Sequence, residues 1–103
     1  MDITVEQLHN KMTSGEPFIF IDVRELYEYD EFNLGARLIP LGNLMTQLNE
    51  VSEDKDAEIV VHCRSGNRSG MAKSLLTQAG YTQVRNLLGG VLDWQEKYGT
   101  SKP

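Results

Sequence analysis

The chain has 103 residues, 40% of them apolar, with 15 acidic against 10 basic side chains and a net charge of −5. That length supplies one compact domain rather than two, and the acidic balance argues against nucleic acid or an anionic membrane as partner. No apolar run approaches the roughly 20 residues of a bilayer span, and the opening Met-Asp-Ile-Thr-Val-Glu lacks the basic and apolar segments of a signal peptide.

In chain order, Thr4 followed by Gln7 is a capping-box pattern, and Val5, Leu8 and Met12 then fall on one helical face, with Gly15 and Pro17 ending that helix. Phe18 to Val23 is continuous apolar sequence broken only by Asp22, the mark of a strand covered on both faces. Asp22 and Glu25 suggest a second cap, opening a short polar helix through Tyr29. Gly35-Ala36 reads as a turn and Arg37 to Pro40 as a short strand. A helix from Gly42 or Asn43 follows, with Leu44, Met45 and Leu48 inward, then a charged turn from Ser52 to Asp56. Glu58 to His62 reads as a buried strand. Met71, Ala72, Leu75, Leu76 and Ala79 recur at helical spacing, which predicts a helix over 69–79 stopped by Gly80. Val84 to Leu87 is the last strand and Leu88-Gly89-Gly90 a tight turn. Val91, Trp94 and Tyr98 line a final helix, and 100–103 is a tail. Strands alternating with helices predict an α/β domain over 1–99 with a largely parallel sheet, whose carboxyl rim is the place for a ligand. Cys63, Asp22 and Arg24, and Gly89-Gly90 all follow strand ends and meet at that rim.

Between the strand ending at His62 and the following helix lies Cys63-Arg64-Ser65-Gly66-Asn67-Arg68-Ser69. Cys63 is the only cysteine, which excludes an internal disulfide and fits a reducing compartment, the cytoplasm. The loop has no proline, so the six amides from Arg64 to Ser69 are free to donate. Gly66 permits a tight fold, and Arg64 and Arg68 add two positive charges. A loop of this kind at a helix N-terminus holds an anion or makes one, and here it favours thiolate over thiol. A lone cysteine at a strand end is more often a small buried hydrophobe. Such a cysteine does not need a glycine, two arginines and an unbroken run of amides. His62, adjacent to Cys63, points to the opposite face of its strand and reads as a core or interface histidine. His9 reads as a surface residue. One cysteine and two scattered histidines give no metal-ligand spacing.

Three stretches, DVRE at Asp22–Glu25, CRSGNRS at Cys63–Ser69 and LLGGVLDW at Leu87–Trp94, resemble the single-domain rhodaneses, the thiosulfate sulfurtransferases. The resemblance implies a five-stranded, mainly parallel sheet flanked by helices on both faces. It also implies covalent double displacement without a cofactor. Cys63 would take the outer sulfur of thiosulfate or a persulfide as its own persulfide, then pass it to cyanide, a small thiol or a thiol-carrying protein. The loop Arg64–Ser69 would bind the anionic donor. Asp22 and Arg24 would support the loop, a helix cap and a surface charge being their alternative reading. Gly89, Gly90 and Trp94 would be turn and packing residues. The sequence departs from the family where many members have a histidine-containing GHIPGA: here Glu31 to Ala36 places Phe32 at the histidine position, away from the nucleophile. Two rival readings stand beside the sulfurtransferase. One is a persulfide carrier or interaction module with little thiosulfate turnover. The other is a phosphatase or arsenate reductase, whose C-x5-R loop is one residue longer than the span from Cys63 to Arg68.

Overall fold

In a computed structural model describing residues 1–100, the capping box at Thr4 forms in both directions. The Gln7 amide donates to Thr4 Oγ1 at 3.2 Å, and the Thr4 amide to Gln7 Oε1 at 3.0 Å. Helix α1, Val5–Thr13, starts there and buries Val5 and Leu8. Strand β1, Ile19–Asp22, follows, then helix α2, Leu26–Glu31, strand β2, Arg37–Leu38, and helix α3, Leu41–Leu44. A 3-10 turn at Leu48–Glu50 leads to strand β3, Glu58–His62. Helix α4, Asn67–Gln78, strand β4, Gln83–Asn86, and helix α5, Gly90–Tyr98, complete the chain. Residues 101–103 of the expected tail lie outside the described residues.

The four strands form one parallel sheet in the order β2-β1-β3-β4. Helices cover both faces, as an α/β sheet buried on both sides requires. One core holds Ile21, Ile59, Val61, Leu76 and Tyr81 beneath α3 and α4; the other holds Leu8, Val60, Leu87, Val91 and Trp94 beneath α1 and α5. The strand order reverses between β1 and β3, so the crevice at this switch point opens beside Asp22 and His62, which pair across the two strands.

Several expectations change. The fifth strand is a single parallel bridge, Ile3 to Leu87, on the outer edge of β4. Ile3 makes both ladder bonds, but the Asp2 carboxylate takes the Asn86 amide in place of a backbone carbonyl and Thr4 turns into its cap, so pairing stops after one residue. The helix after β2 starts earlier and is only one turn long. Pro40 sets its entry and its carbonyl accepts the Asn43 and Leu44 amides, so Leu41 and Leu44 face inward while Met45 is 58% exposed. Helix α4 begins at Asn67 rather than Ser69, and Met71 faces solvent because Ala72 and Leu76 take the core face. Asp22 caps no helix. The box that opens α2 is made by Glu25 and Glu28. His9 is half-buried and stacks on Tyr98 at 4.5 Å between ring centres.

Candidate active site

At the end of β3 the alternation of side chains sends Val61 and Cys63 to one face and Val60 and His62 to the other. Cys63 is 1% exposed, and its sulfur lies at the N-terminus of α4. The Gly66 amide donates to Sγ at 3.1 Å, the Ser69 amide at 3.5 Å and the Ser69 hydroxyl approaches to 3.3 Å. Gly66 reaches this position with φ of +110°, a conformation that L side chains rarely adopt. Burial works against the thiolate. The Ser69 hydroxyl and the amides of Ser69, Gly66 and Ser65 outweigh it, and the Cys63 pKa falls below that of a free thiol. Ser65 and Asn67 are themselves exposed, so their side chains face solvent while the backbone curls around sulfur.

Two elements outside the loop hold it in shape. Asn86, at the end of β4, accepts the Ser69 hydroxyl through Oδ1 at 2.5 Å and donates from Nδ2 to the Gly66 carbonyl at 3.1 Å. Both arms of the sulfur cradle are therefore tied to one carboxamide. The first turn of α5 secures the loop entrance: the Val91 amide donates to the Cys63 carbonyl at 3.1 Å and the Leu92 amide to the Arg64 carbonyl at 3.0 Å. Gly90 makes this contact possible, since a Cβ there would lie 2.5 Å from the Cys63 carbonyl oxygen and 2.6 Å from that of Arg64. Gly89 and Gly90 are turn residues, and the turn they make fastens the active loop. The sequence offered one signal for Asn86, a polar side chain at a strand's carboxyl end.

Asp22 and Arg24 are both buried and bonded to each other, so neither is a surface charge. Asp22 accepts from the Arg24 amide and Nε at 3.0 Å and from Nη2 at 2.7 Å. Arg24 then reaches the Phe32 carbonyl at 2.7 Å and the Glu28 carbonyl at 3.4 Å, which clamps the C-terminus of α2 onto the end of β1. From that helix Glu28 grips Arg68 with both carboxylate oxygens, at 2.7 and 2.9 Å. Asp22 and Arg24 reach the loop through this relay, and Asp22 also through His62, whose Nδ1 lies 3.4 Å from the Cys63 carbonyl. The hydrogen bonds from Arg68 hold Glu28 down to a pKa of about 2 against partial burial, and the pairing with Glu28 raises Arg68 further above its already high value.

His62 is fully buried, packed on Phe20, with Nε2 lacking a hydrogen bond and 3.6 Å from Asp22 Oδ2. Burial pulls its pKa down to about 4 despite the Asp22 charge, with Arg24 adding to the fall. The ring is neutral at neutral pH, so His62 is a core histidine. Among the described residues no three His, Cys, Asp or Glu side chains come together as a metal site, and no helix is long and apolar enough to cross a membrane.

Above the loop opens a cleft of about 500 Å³ between α2 and the start of α5. Arg24, Arg64, Arg68, Glu28 and Glu31 supply its charged lining. Phe32, the residue at the expected histidine position, lines the cleft as well. Cys63 itself does not line the cleft; Arg64, its neighbour in the loop, does.

Residues 4–97 match the family model of the Rhodanese-like domain. A sulfurtransferase of Allochromatium vinosum is 33% identical over 99 residues, covering 90% of this chain and 86% of the relative. YrkF of Bacillus subtilis, described as a sulfur carrier protein, is 36% identical over 97 residues, covering 93% of this chain. The chain spans about half the length of YrkF (51%). A rhodanese-related protein of Thermoplasma volcanium superposes with a TM-score of 0.82 at 25% identity, covering 99% of this chain and 94% of that one. On the match over 94 consecutive positions, the parallel α/β fold and these relatives, the chain belongs to the rhodanese-like domain family.

Proposed function

We propose that the protein is a sulfurtransferase that carries sulfane sulfur on Cys63 from thiosulfate or a persulfide donor to a thiol or cyanide. The observation that supports this most directly is the cradle of Gly66 and Ser69 amides around a buried, thiolate-prone sulfur at a helix N-terminus. The thiolate attacks the outer, sulfane sulfur of the donor; the new S–S bond forms as the donor's S–S bond breaks, the transferred sulfur becomes the terminal sulfur of the persulfide, and the leaving group departs with that electron pair. From thiosulfate the leaving group is sulfite. The resulting persulfide replaces the thiolate within reach of the same amides, which stabilise its terminal charge as an oxyanion hole does. Arg64, at the cleft, helps the anion leave. In the second half-reaction the acceptor attacks the terminal sulfur and restores the Cys63 thiolate. A small thiol, cyanide or the cysteine of a protein partner serves as acceptor, and a reducing compartment such as the cytoplasm keeps the single cysteine available.

Intact mass after incubation with thiosulfate tests this reading. The expected result is a gain of one sulfur atom that disappears on adding cyanide, and no gain in Cys63→Ser with its fold retained. Turnover in Cys63→Ser near that of the wild type would overturn the mechanism. An adduct formed from persulfides and not from thiosulfate would identify the carrier form of the activity.

A further inference from the structure

Of the two arginines in the active loop, one is already occupied. Arg68 presents both terminal nitrogens to both oxygens of Glu28, the geometry in which a guanidinium gives most of its recognition capacity to one carboxylate. Glu28 is held in place from behind. Its Oε1 also accepts the Glu25 amide at 3.1 Å, and Arg24 fixes the backbone of the same helix. Moving Glu28 away from Arg68 would disturb the α2 capping box.

The charges around the cleft therefore cancel. Arg24, Arg64 and Arg68 line it, and against them stand Asp22 on Arg24, Glu28 on Arg68 and Glu31 on the cleft wall. Among the described residues, Arg64 is the cleft arginine without a carboxylate partner. A singly charged donor matches that one free cation, whereas a dianion brings a second charge with no partner and a repulsion from Glu28 and Glu31 twice as large. The remaining walls suit an organic group. Phe32 and Leu92 line the cleft, and the Tyr27 ring, 68% exposed, stands at its edge.

We propose that Glu28 is a specificity-determining residue: by neutralising Arg68 it turns the cleft toward sulfane sulfur on an organic carrier with at most one negative charge, and away from dianionic thiosulfate. This deepens the sulfurtransferase reading and rests on it. The chemistry is the same for both donor classes. Cys63 Sγ bonds to the terminal sulfur, the donor S–S bond breaks, and the electron pair leaves on sulfite from thiosulfate or on methanesulfinate from methanethiosulfonate.

That pair of donors tests the proposal, because they share the transferred sulfur and differ by one charge. The measurement is kcat/KM for each at low ionic strength, with saturating cyanide, in the wild type and in Glu28→Gln. Glutamine keeps the capping-box acceptor, so α2 is retained. Removing the carboxylate is expected to raise kcat/KM about tenfold for thiosulfate and about threefold for methanethiosulfonate, since the dianion feels the lost charge twice. Any change in the Cys63 pKa acts on both donors alike and cancels in the ratio. Glu28→Asp, which restores the charge, is expected to return the ratio toward that of the wild type, and Glu31→Gln to shift it in the same direction as Glu28→Gln. Equal changes on both donors in Glu28→Gln, or a fall for thiosulfate, would overturn the proposal and leave the sulfurtransferase reading standing. Failure of both donors to place sulfur on Cys63 in the wild type would overturn that reading and this proposal together.

Discussion

At Ser69 one hydroxyl proton faces two acceptors. Asn86 Oδ1 lies 2.5 Å from the oxygen and Cys63 Sγ lies 3.3 Å away. The orientation of the carboxamide is fixed by its other end, which must donate to the Gly66 carbonyl. Oδ1 therefore only accepts, and at the shorter distance it holds the Ser69 proton while sulfur is a thiol. The thiolate consequently depends chiefly on the amides of Ser69, Gly66 and Ser65 together, with the hydroxyl as a shared contributor. Ser69→Ala is expected to raise the midpoint of the pH dependence of Cys63 alkylation, and by about one unit or less because all three amides remain. The sign follows from the charge: losing a donor to the thiolate disfavours the charged form, so less of it is present at neutral pH. The wild-type midpoint should still lie below that of a free thiol, as its depressed pKa requires. A Ser69→Ala midpoint at the free-thiol value would mean that the hydroxyl alone holds the anion.

Among the elements, the first turn of α5 decides whether the active loop keeps its shape. Its amides bond the carbonyls of Cys63 and Arg64, and it approaches so closely that only glycine fits at position 90. Gly90→Ala would force a Cβ into two carbonyl oxygens as well as strain a φ of +56°. The expected loss of stability in denaturant titration is roughly 2–4 kcal/mol, with sulfur transfer falling further than stability because the loop moves. Gly66→Ala is the control: it has a positive φ, yet a Cβ there finds nothing closer than 3.7 Å, so its cost should be the backbone strain alone, roughly 1–2 kcal/mol and below that of Gly90→Ala. Equal costs at both positions would refute the close-approach argument. The same elements show what could be read from the chain alone. The Cys63–Ser69 loop and the Thr4 box were legible because the interacting residues are adjacent or three apart, where backbone geometry is set locally. Asn86 and Glu28 reach the loop from 17 and 40 residues away, and only the packing of β4 and α2 brings them there. The start of α3 was misplaced because a one-turn helix has too few residues to define a period, and Pro40 rather than the apolar pattern sets its entry.

On the scale of the whole molecule, the net charge of −5 and the cleft act on an anionic donor in sequence. The field of the protein acts first, over distances comparable with the Debye length, and it repels anions. The cleft acts at contact, and there the ion pairs of Arg24 with Asp22 and Arg68 with Glu28 leave Arg64 and Glu31 as its remaining charges, with little net attraction. With no strong local cation to oppose it, the long-range repulsion should govern the salt response. Raising ionic strength from about 10 mM to 150 mM shortens the Debye length from about 30 Å to 8 Å and screens that repulsion. The value of kcat/KM for thiosulfate is therefore expected to rise with salt, and that for methanethiosulfonate to rise with about half the logarithmic slope. In Glu28→Gln the thiosulfate slope should flatten or reverse, because a freed Arg68 supplies an attraction that salt weakens. A wild-type rate for thiosulfate that falls steeply with salt would show that the loop arginines dominate the encounter despite their carboxylate partners. The cleft would then be a dianion site within an acidic protein, and the pairing of Arg68 with Glu28 would have to break as the donor binds.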